Sequence, residues 1–237
     1  MNELELINFI RIYCKVNSNK ANREKYNYYY KEEQDFYGLT APQINQFAKD
    51  FTRQHKPNLS TLINAAPELI KSSKHEESII LIVLLRLQAK HFTPNLLDEF
   101  SKWYALGIRN WAQADSMAMY LLHELHARKI VHYKAFEPWI TSPYPFQRRS
   151  VPVSMVKWGK KHPHIPELLA FNEPLMTDSI REVHQGIGWF LRECWTRDPL
   201  ATEDFLMKYK ETSARLIFQY ACEKMTAEKR ILFRRKV

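Results

Sequence analysis

Glycine is scarce in this chain, with only five residues in 237. That scarcity argues against dinucleotide- and phosphate-binding architectures built on glycine-rich turns, and against an all-β fold with many tight turns. Cysteine is nearly absent too. Cys14, Cys194 and Cys222 show no CxxC pairing, and they read as reduced thiols in a cytoplasmic protein. The N-terminus MNELELINF carries acids and no basic n-region, so a signal peptide is not expected. Long apolar runs are missing as well. The longest, residues 79–85, is far too short to span a bilayer, and no membrane partner is expected.

Basic charge, aromatics and helical pattern are abundant. Lysine and arginine number 35 against 26 acids, for a net charge of +9 and a pI near 9.4. Aromatics make up 13% of residues, and basic side chains interleaved with aromatics suit a nucleic acid better than a lipid surface. Hydrophobic content of 45% is enough to bury a core. Nearly every segment carries a 3.6-residue apolar period with helical punctuation. The pattern predicts helices over residues 3–16, 40–54, 59–70, 79–87, 93–106, 110–127, 130–140, 146–160, 167–171, 177–198, 199–210, 213–223 and 227–235. Thr40 with Gln43, and Ser73 with Glu76, read as capping boxes. In the first helix Leu4, Ile7, Phe9 and Ile10 form the expected apolar set. Helical pairs recur at roughly 35 to 45 residues, close to the period of HEAT and armadillo units. The expected fold is therefore all-α, a curved solenoid of stacked HEAT-like helical pairs with one concave face, in a single domain spanning residues 1–237.

Three places carry candidate chemistry. In the helix at 177–198, Thr177 or Asp178 is the expected cap. Ile180, Val183, Ile187, Phe190, Leu191 and Cys194 form a core stripe. Trp189 lies roughly 180° from Ile180, beside Gln185 and Arg192. Gly186 and Gly188 flank Trp189, and each costs about 1 kcal/mol in a helix interior, so a close neighbour is expected there. Trp189 reads either as packed under another element or as a ligand-facing platform. In the helix at 110–127, Asp115 sits at the edge of an apolar stripe one turn after Trp111. A carboxylate there is costly unless paired. It reads as a structural acid or as half of a Trp–Asp pair facing one way. Third, Arg148 and Arg149 open a helix after a proline-marked loop. They read as a solvated charge pair or as a phosphate site at a helix start. Lys157, Lys160, Lys161 and His162 extend that basic run, and Arg230, Arg234, Arg235 and Lys236 form another.

No metal site is expected. His123 and His126 are three residues apart where the zinc helix motif needs four, and His162 with His164 lacks a third ligand.

Four pieces, taken in order, resemble the bacterial AlkC/AlkD-type DNA alkylation-repair glycosylases, built from HEAT-like repeats. They are Tyr37-Gly38-Leu39-Thr40-Ala41-Pro42, Asn110-Trp111-Ala112-Gln113-Ala114-Asp115, Arg148-Arg149-Ser150, and Ile187-Gly188-Trp189-Phe190-Leu191-Arg192-Glu193. The resemblance implies an α-superhelix of HEAT-like repeats with a basic concave face holding duplex DNA, with Trp111, Asp115, Arg149 and Trp189 as active-site residues. Arg148 is the alternative for the arginine. Arg148, Arg149, Lys157, Lys160, Lys161, Arg192 and Gln185 are the expected DNA contacts. The family commonly has an acid directly after the first tryptophan, and this chain has Ala112. The implied activity is excision of N3- or N7-alkylated purines from double-stranded DNA by a monomer without a cofactor. A non-catalytic HEAT-like DNA binder and a protein-binding helical scaffold are the alternative readings. No base-binding pocket is legible from the residues.

Overall fold

A computed structural model describes residues 1–30, 32–159 and 164–234. The predicted DNA contacts Lys160 and Lys161, together with His162, Arg235 and Lys236, lie outside the described residues. The chain divides into two compact units, Met1–Leu125 and His126–Val237. Among the described residues both are helical. The only bridge recorded is an isolated parallel one between Asp35 and Lys74.

Unit 1 holds α1 (Glu3–Val16), α2 (Lys20–Asn27), α3 (Ala41–His55), α4 (Leu59–Lys71), α5 (His75–Leu87), α6 (Leu96–Leu106) and α7 (Trp111–Met117). α7 continues through a π-helical turn, Ala118–Leu122, into α8 (His123–Ala127), where the division between units falls. α5 is the centre. Its run Ile80, Leu81, Ile82, Val83, Leu84 and Leu85 is buried, and α1, α3, α4 and α7 pack on it. An apolar run too short for a membrane is thus buried on all sides within a unit.

The capping chemistry differs from the expected pattern in instructive ways. Thr40 does cap α3 in a full box with Gln43. Ser73 does not cap α5: it adopts φ +61°, and Lys74 occupies the cap position without a side-chain bond. The Glu76 side chain is spent elsewhere. It accepts hydrogen bonds from the amides of Tyr37 at 2.9 Å, Gly38 at 2.7 Å and Leu39 at 3.0 Å. In α1 the buried face is Leu6, Ile7, Ile10 and Cys14, whereas the predicted Leu4 and Phe9 are exposed. Phe9 instead lies edge-on to Phe51, with ring centroids 5.7 Å apart.

Unit 2 holds α9 (Glu137–Ile140), α10 (Pro145–Ser154), α11 (Val156–Gly159), α12 (Ile165–Asn172), α13 (Arg181–Arg197), α14 (Pro199–Tyr209), α15 (Arg215–Ala221) and α16 (Ala227–Leu232). α13 is its axis, and α10, α11, α12, α14 and α15 pack against it. Val183, Ile187, Phe190, Leu191 and Cys194 are buried as the stripe predicts, while Ile180 is only part-buried. α13 starts at Arg181 rather than at the predicted Thr177/Asp178 cap. The Asp178 carboxylate accepts from the Ile180 amide at 2.8 Å and from Arg148, so it turns the chain before the helix instead of capping it.

The two glycines of α13 do mark close approaches. A Cβ on Gly186 would lie 3.0 Å from Arg149 Cγ of α10. One on Gly188 would lie 2.6 Å from Tyr220 Cβ and 2.9 Å from the Ile217 carbonyl of α15. Two helices therefore seat directly on the α13 backbone. No helix among the described residues is long and apolar enough to cross a membrane.

Candidate functional site

In unit 1 the candidate residues rest on the start of α7. Asn110 caps it by accepting from the Gln113 amide at 2.9 Å, and its own amide group donates to Gln34 Oε1 at 2.9 Å. Gln113 is buried. It donates to Ser78 Oγ of α5 at 2.9 Å and accepts from the Arg109 amide at 3.0 Å. These bonds fix the first turn of α7, and so fix where Trp111 and Asp115 emerge. Trp111 is 39% exposed, and its ring stacks on Tyr30 with centroids 5.4 Å apart and planes 15° from parallel. Asp115 is part-buried one turn later, just before the π-helical turn. Such turns widen a helix locally and recur at functional sites.

Tyr30, which the sequence did not single out, links the pair. Burial pushes its hydroxyl pKa up to about 12, helped by the negative charges of Asp115 and then Glu76. Trp111, Asp115 and Tyr30 therefore form one local cluster. The interleaved tyrosines at 26, 28, 29 and 30 were the available signal.

Beside the cluster lies a recess of about 350 Å³. Its walls include Tyr26, Tyr29, Tyr30, Phe36, Trp111 and Tyr120, and Ala112 also lines it. His75 and Glu76 supply its polar edge.

In unit 2 the candidate residues lie mainly on α10 and α13. Neither arginine is a solvated surface charge. Arg148 donates from Nε to Asp178 at 2.6 Å, from Nη2 to the same carboxylate at 3.2 Å, and from Nη1 to the Ser142 carbonyl at 2.6 Å. Arg149 is 5% exposed, and its Nη1 donates to the Glu182 carbonyl at 2.6 Å. Its side chain also lies against Gly186, so α10 and α13 hold it from both sides.

Trp189 is part-buried on α13. Gln185, one turn before it, donates to the Tyr220 hydroxyl at 3.0 Å. Arg192 pairs with Glu193 at 3.2 Å and with Glu223. Buried Glu193 also accepts from Lys224 at 2.8 Å. Lys157 on α11 is part-buried. His126 is a packing residue whose Nε2 donates to the Ser154 carbonyl at 2.9 Å. Among the described residues no three His, Cys, Asp or Glu side chains converge on a metal position.

Unit 1 thus carries Trp111 one turn before Asp115 on α7, and unit 2 carries Trp189 one turn before Arg192 on α13. Residues 15–225 match the family model described as DNA alkylation repair enzyme.

The chain belongs to the DNA alkylation repair enzyme family.

That family description implies a DNA substrate and a role in alkylation repair. Among solved structures, the chain is similar to a predicted DNA alkylation repair enzyme from Enterococcus faecalis. The TM-score is 0.73 at 16% identity, over 89% of this chain and 97% of that one. At that identity the likeness establishes the shared helical-repeat fold. No curated protein shows a significant sequence match to the chain.

Proposed function

We propose that this DNA alkylation repair family member is a DNA glycosylase. It excises purines alkylated at N3 or N7 from duplex DNA, working as a monomer in the cytoplasm and as a single domain of residues 1–237. Alkylation at those nitrogens puts a positive charge on the base. The N-glycosidic bond then breaks with its electron pair going to the base, which needs no general acid. The sugar is left as an oxocarbenium-like cation. Water adds to that cation and loses a proton, which completes the hydrolysis.

The observation that carries this reading is Asp115, a part-buried carboxylate one turn from the exposed face of Trp111. A fixed carboxylate stabilises the developing sugar cation and orients the water. Trp111 and Trp189 offer π faces to the sugar and to the charged base. Arg149 is assigned a phosphate next to the lesion, and Arg148, Lys157, Arg192 and Gln185 the flanking strand. No cofactor enters the reaction.

The test is single-turnover release of N7-methylguanine and N3-methyladenine from methylated duplex DNA, comparing wild type with Asp115→Asn. We expect release by wild type only, with duplex affinity of the variant within a few-fold. Equal release by both proteins would remove Asp115 from the chemistry. No release by either, with tight duplex binding, would favour a DNA-binding scaffold.

A further inference from the structure

We propose that the aromatic recess of unit 1 is a binding site for a planar heteroaromatic cation, the chemical class of an N-alkylated purine. Four observations support it. The first is size. At about 350 Å³ the recess falls at the lower end of small-molecule sites and accommodates a bicyclic ring.

The second is the walls. Tyr26, Tyr29, Tyr30, Phe36, Trp111 and Tyr120 present aromatic surface, and such faces attract cations through the ring quadrupole. Tyr120 already carries one, the Arg86 guanidinium 4.6 Å from its ring centroid. The stack of Tyr30 on Trp111 fixes one wall while leaving Trp111 39% exposed.

The third is charge. The chain carries +9, yet among the described residues no lysine or arginine lines the recess. Glu76 lines it, and the negative charge of Asp115 reaches Tyr30 at its edge. A flat cation finds π faces and the Glu76 carboxylate in these walls, and no lysine or arginine among them favours a phosphate.

The fourth is an unsatisfied polar atom. His75 lines the recess between Tyr30 and Phe36, and its buried Nδ1 has no hydrogen-bond partner among the described residues. An orphaned buried group of this kind costs about 1 to 3 kcal/mol. Burial also pulls the His75 pKa down to about 4, so near neutrality the ring is uncharged and does not repel a cation. A ring N–H or amino group of the ligand would satisfy Nδ1.

Naming the cation as an alkylated purine rests on the glycosylase reading; the preference for a flat cation does not. The ligand has two possible sources. One is a lesion base still attached to DNA, and the other is the free base after release.

The first experiment needs no DNA. The full-length protein is titrated with 1-methyladenosine, whose ring is cationic at neutral pH, and with adenosine. Binding is followed by calorimetry for wild type, Tyr30→Leu and Tyr30→Phe. We expect about a tenfold preference for the cation in wild type. Tyr30→Phe keeps that preference and Tyr30→Leu loses it, with circular dichroism confirming that both variants fold. Equal binding of the two nucleosides by wild type overturns the proposal. So does an unchanged preference in folded Tyr30→Leu. The wild-type comparison decides even if a variant does not fold.

The second arm measures lesion release from methylated duplex by Tyr30→Leu. Release slowed about tenfold places the attached base in the recess. Unchanged release, with cation binding lost, places the free base there. Cation binding by a wild type that releases no base sinks the glycosylase reading and leaves the recess standing. Release without cation binding does the reverse.

Discussion

The carboxylate of Glu76 accepts the backbone amide of Gly38 at 2.7 Å, and that bond joins the N-terminal loop to the central helix of unit 1. Gly38 has φ +91°, and a Cβ there would lie 2.2 Å from the Asn19 carbonyl, so the loop is shaped for glycine. The same Glu76 oxygen takes the Leu39 amide, and the other oxygen takes Tyr37. Glu76 is 1% exposed. Glu76→Gln would place an NH2 against one or more of these N–H donors. We expect it to cost about 3 kcal/mol, since a buried charge-assisted site loses an acceptor and leaves a donor unpaired. Urea denaturation of the two proteins measures the loss. A change below 1 kcal/mol would show that the loop finds other partners.

The two glycines of α13 give a graded prediction. Alanine is the better helix former by about 1 kcal/mol, so an exposed glycine gains from the change. At Gly188 the new Cβ would meet Tyr220 Cβ at 2.6 Å and a carbonyl at 2.9 Å, and the backbone of α15 must move. At Gly186 the nearest atom is Arg149 Cγ at 3.0 Å, on a longer and more adaptable side chain. Gly188→Ala should therefore lose about 1 to 3 kcal/mol by overpacking, and Gly186→Ala less. Thermal unfolding of both variants orders them. The reverse order would mean that α15 yields more easily than Arg149.

These glycines also show how much the sequence made legible. Glycine in a helix interior has a cost that only a close neighbour offsets, so Gly186 and Gly188 announced a close approach before the neighbour was known. Helix periods and the Thr40 box were readable for the same reason: they depend on residues three or four apart. What was not readable depends on distant partners. The Glu76 carboxylate serves amides 37 to 39 residues away in sequence, and Ser73 therefore loses its expected role. Asp178 looked like a helix cap because its partner Arg148 lies 30 residues upstream. Leu4 and Phe9 matched the apolar period of α1, but the buried face is set by α4 and α5, which the period alone does not locate. In the candidate site Trp111 and Asp115 were legible as neighbours on one helix. Tyr30 and the recess were not, because they come from four separate helices and the loops between them.

His75 gives a pH dependence whose sign follows from its burial. Its ordinary pKa of 6.5 is lowered to about 4 in the fold. Between those values the unfolded chain binds a proton that the folded chain refuses. The stability due to neutral His75 is thus complete above about pH 6.5, falls as pH drops towards about 4, and levels off below. The slope in that window is at most about 1.4 kcal/mol per pH unit. His75→Gln, which does not titrate, should flatten the stability profile across that window and leave the profile above it parallel to wild type. Urea midpoints at closely spaced pH values give both curves. Identical slopes would place the proton elsewhere.

Salt dependence tests whether the positive charge serves DNA. The chain carries +9, and a duplex binder making about six phosphate contacts releases the corresponding counterions. Its affinity should fall about 10³-fold between 50 and 200 mM salt. A protein-binding scaffold with incidental charge would show a nearly flat profile towards duplex DNA. The Asp115→Asn variant should follow the wild-type slope, because a carboxylate that stabilises a sugar cation contributes no counterion release. Fluorescence anisotropy with an unmodified duplex gives both slopes without any chemistry occurring. A flat wild-type profile would remove the phosphate-tracking role from Arg148, Arg149, Lys157 and Arg192 together, leaving the three arginines their ion pairs and backbone bonds. A steep profile shared by both proteins would separate holding the DNA from cleaving it, with only the second depending on Asp115.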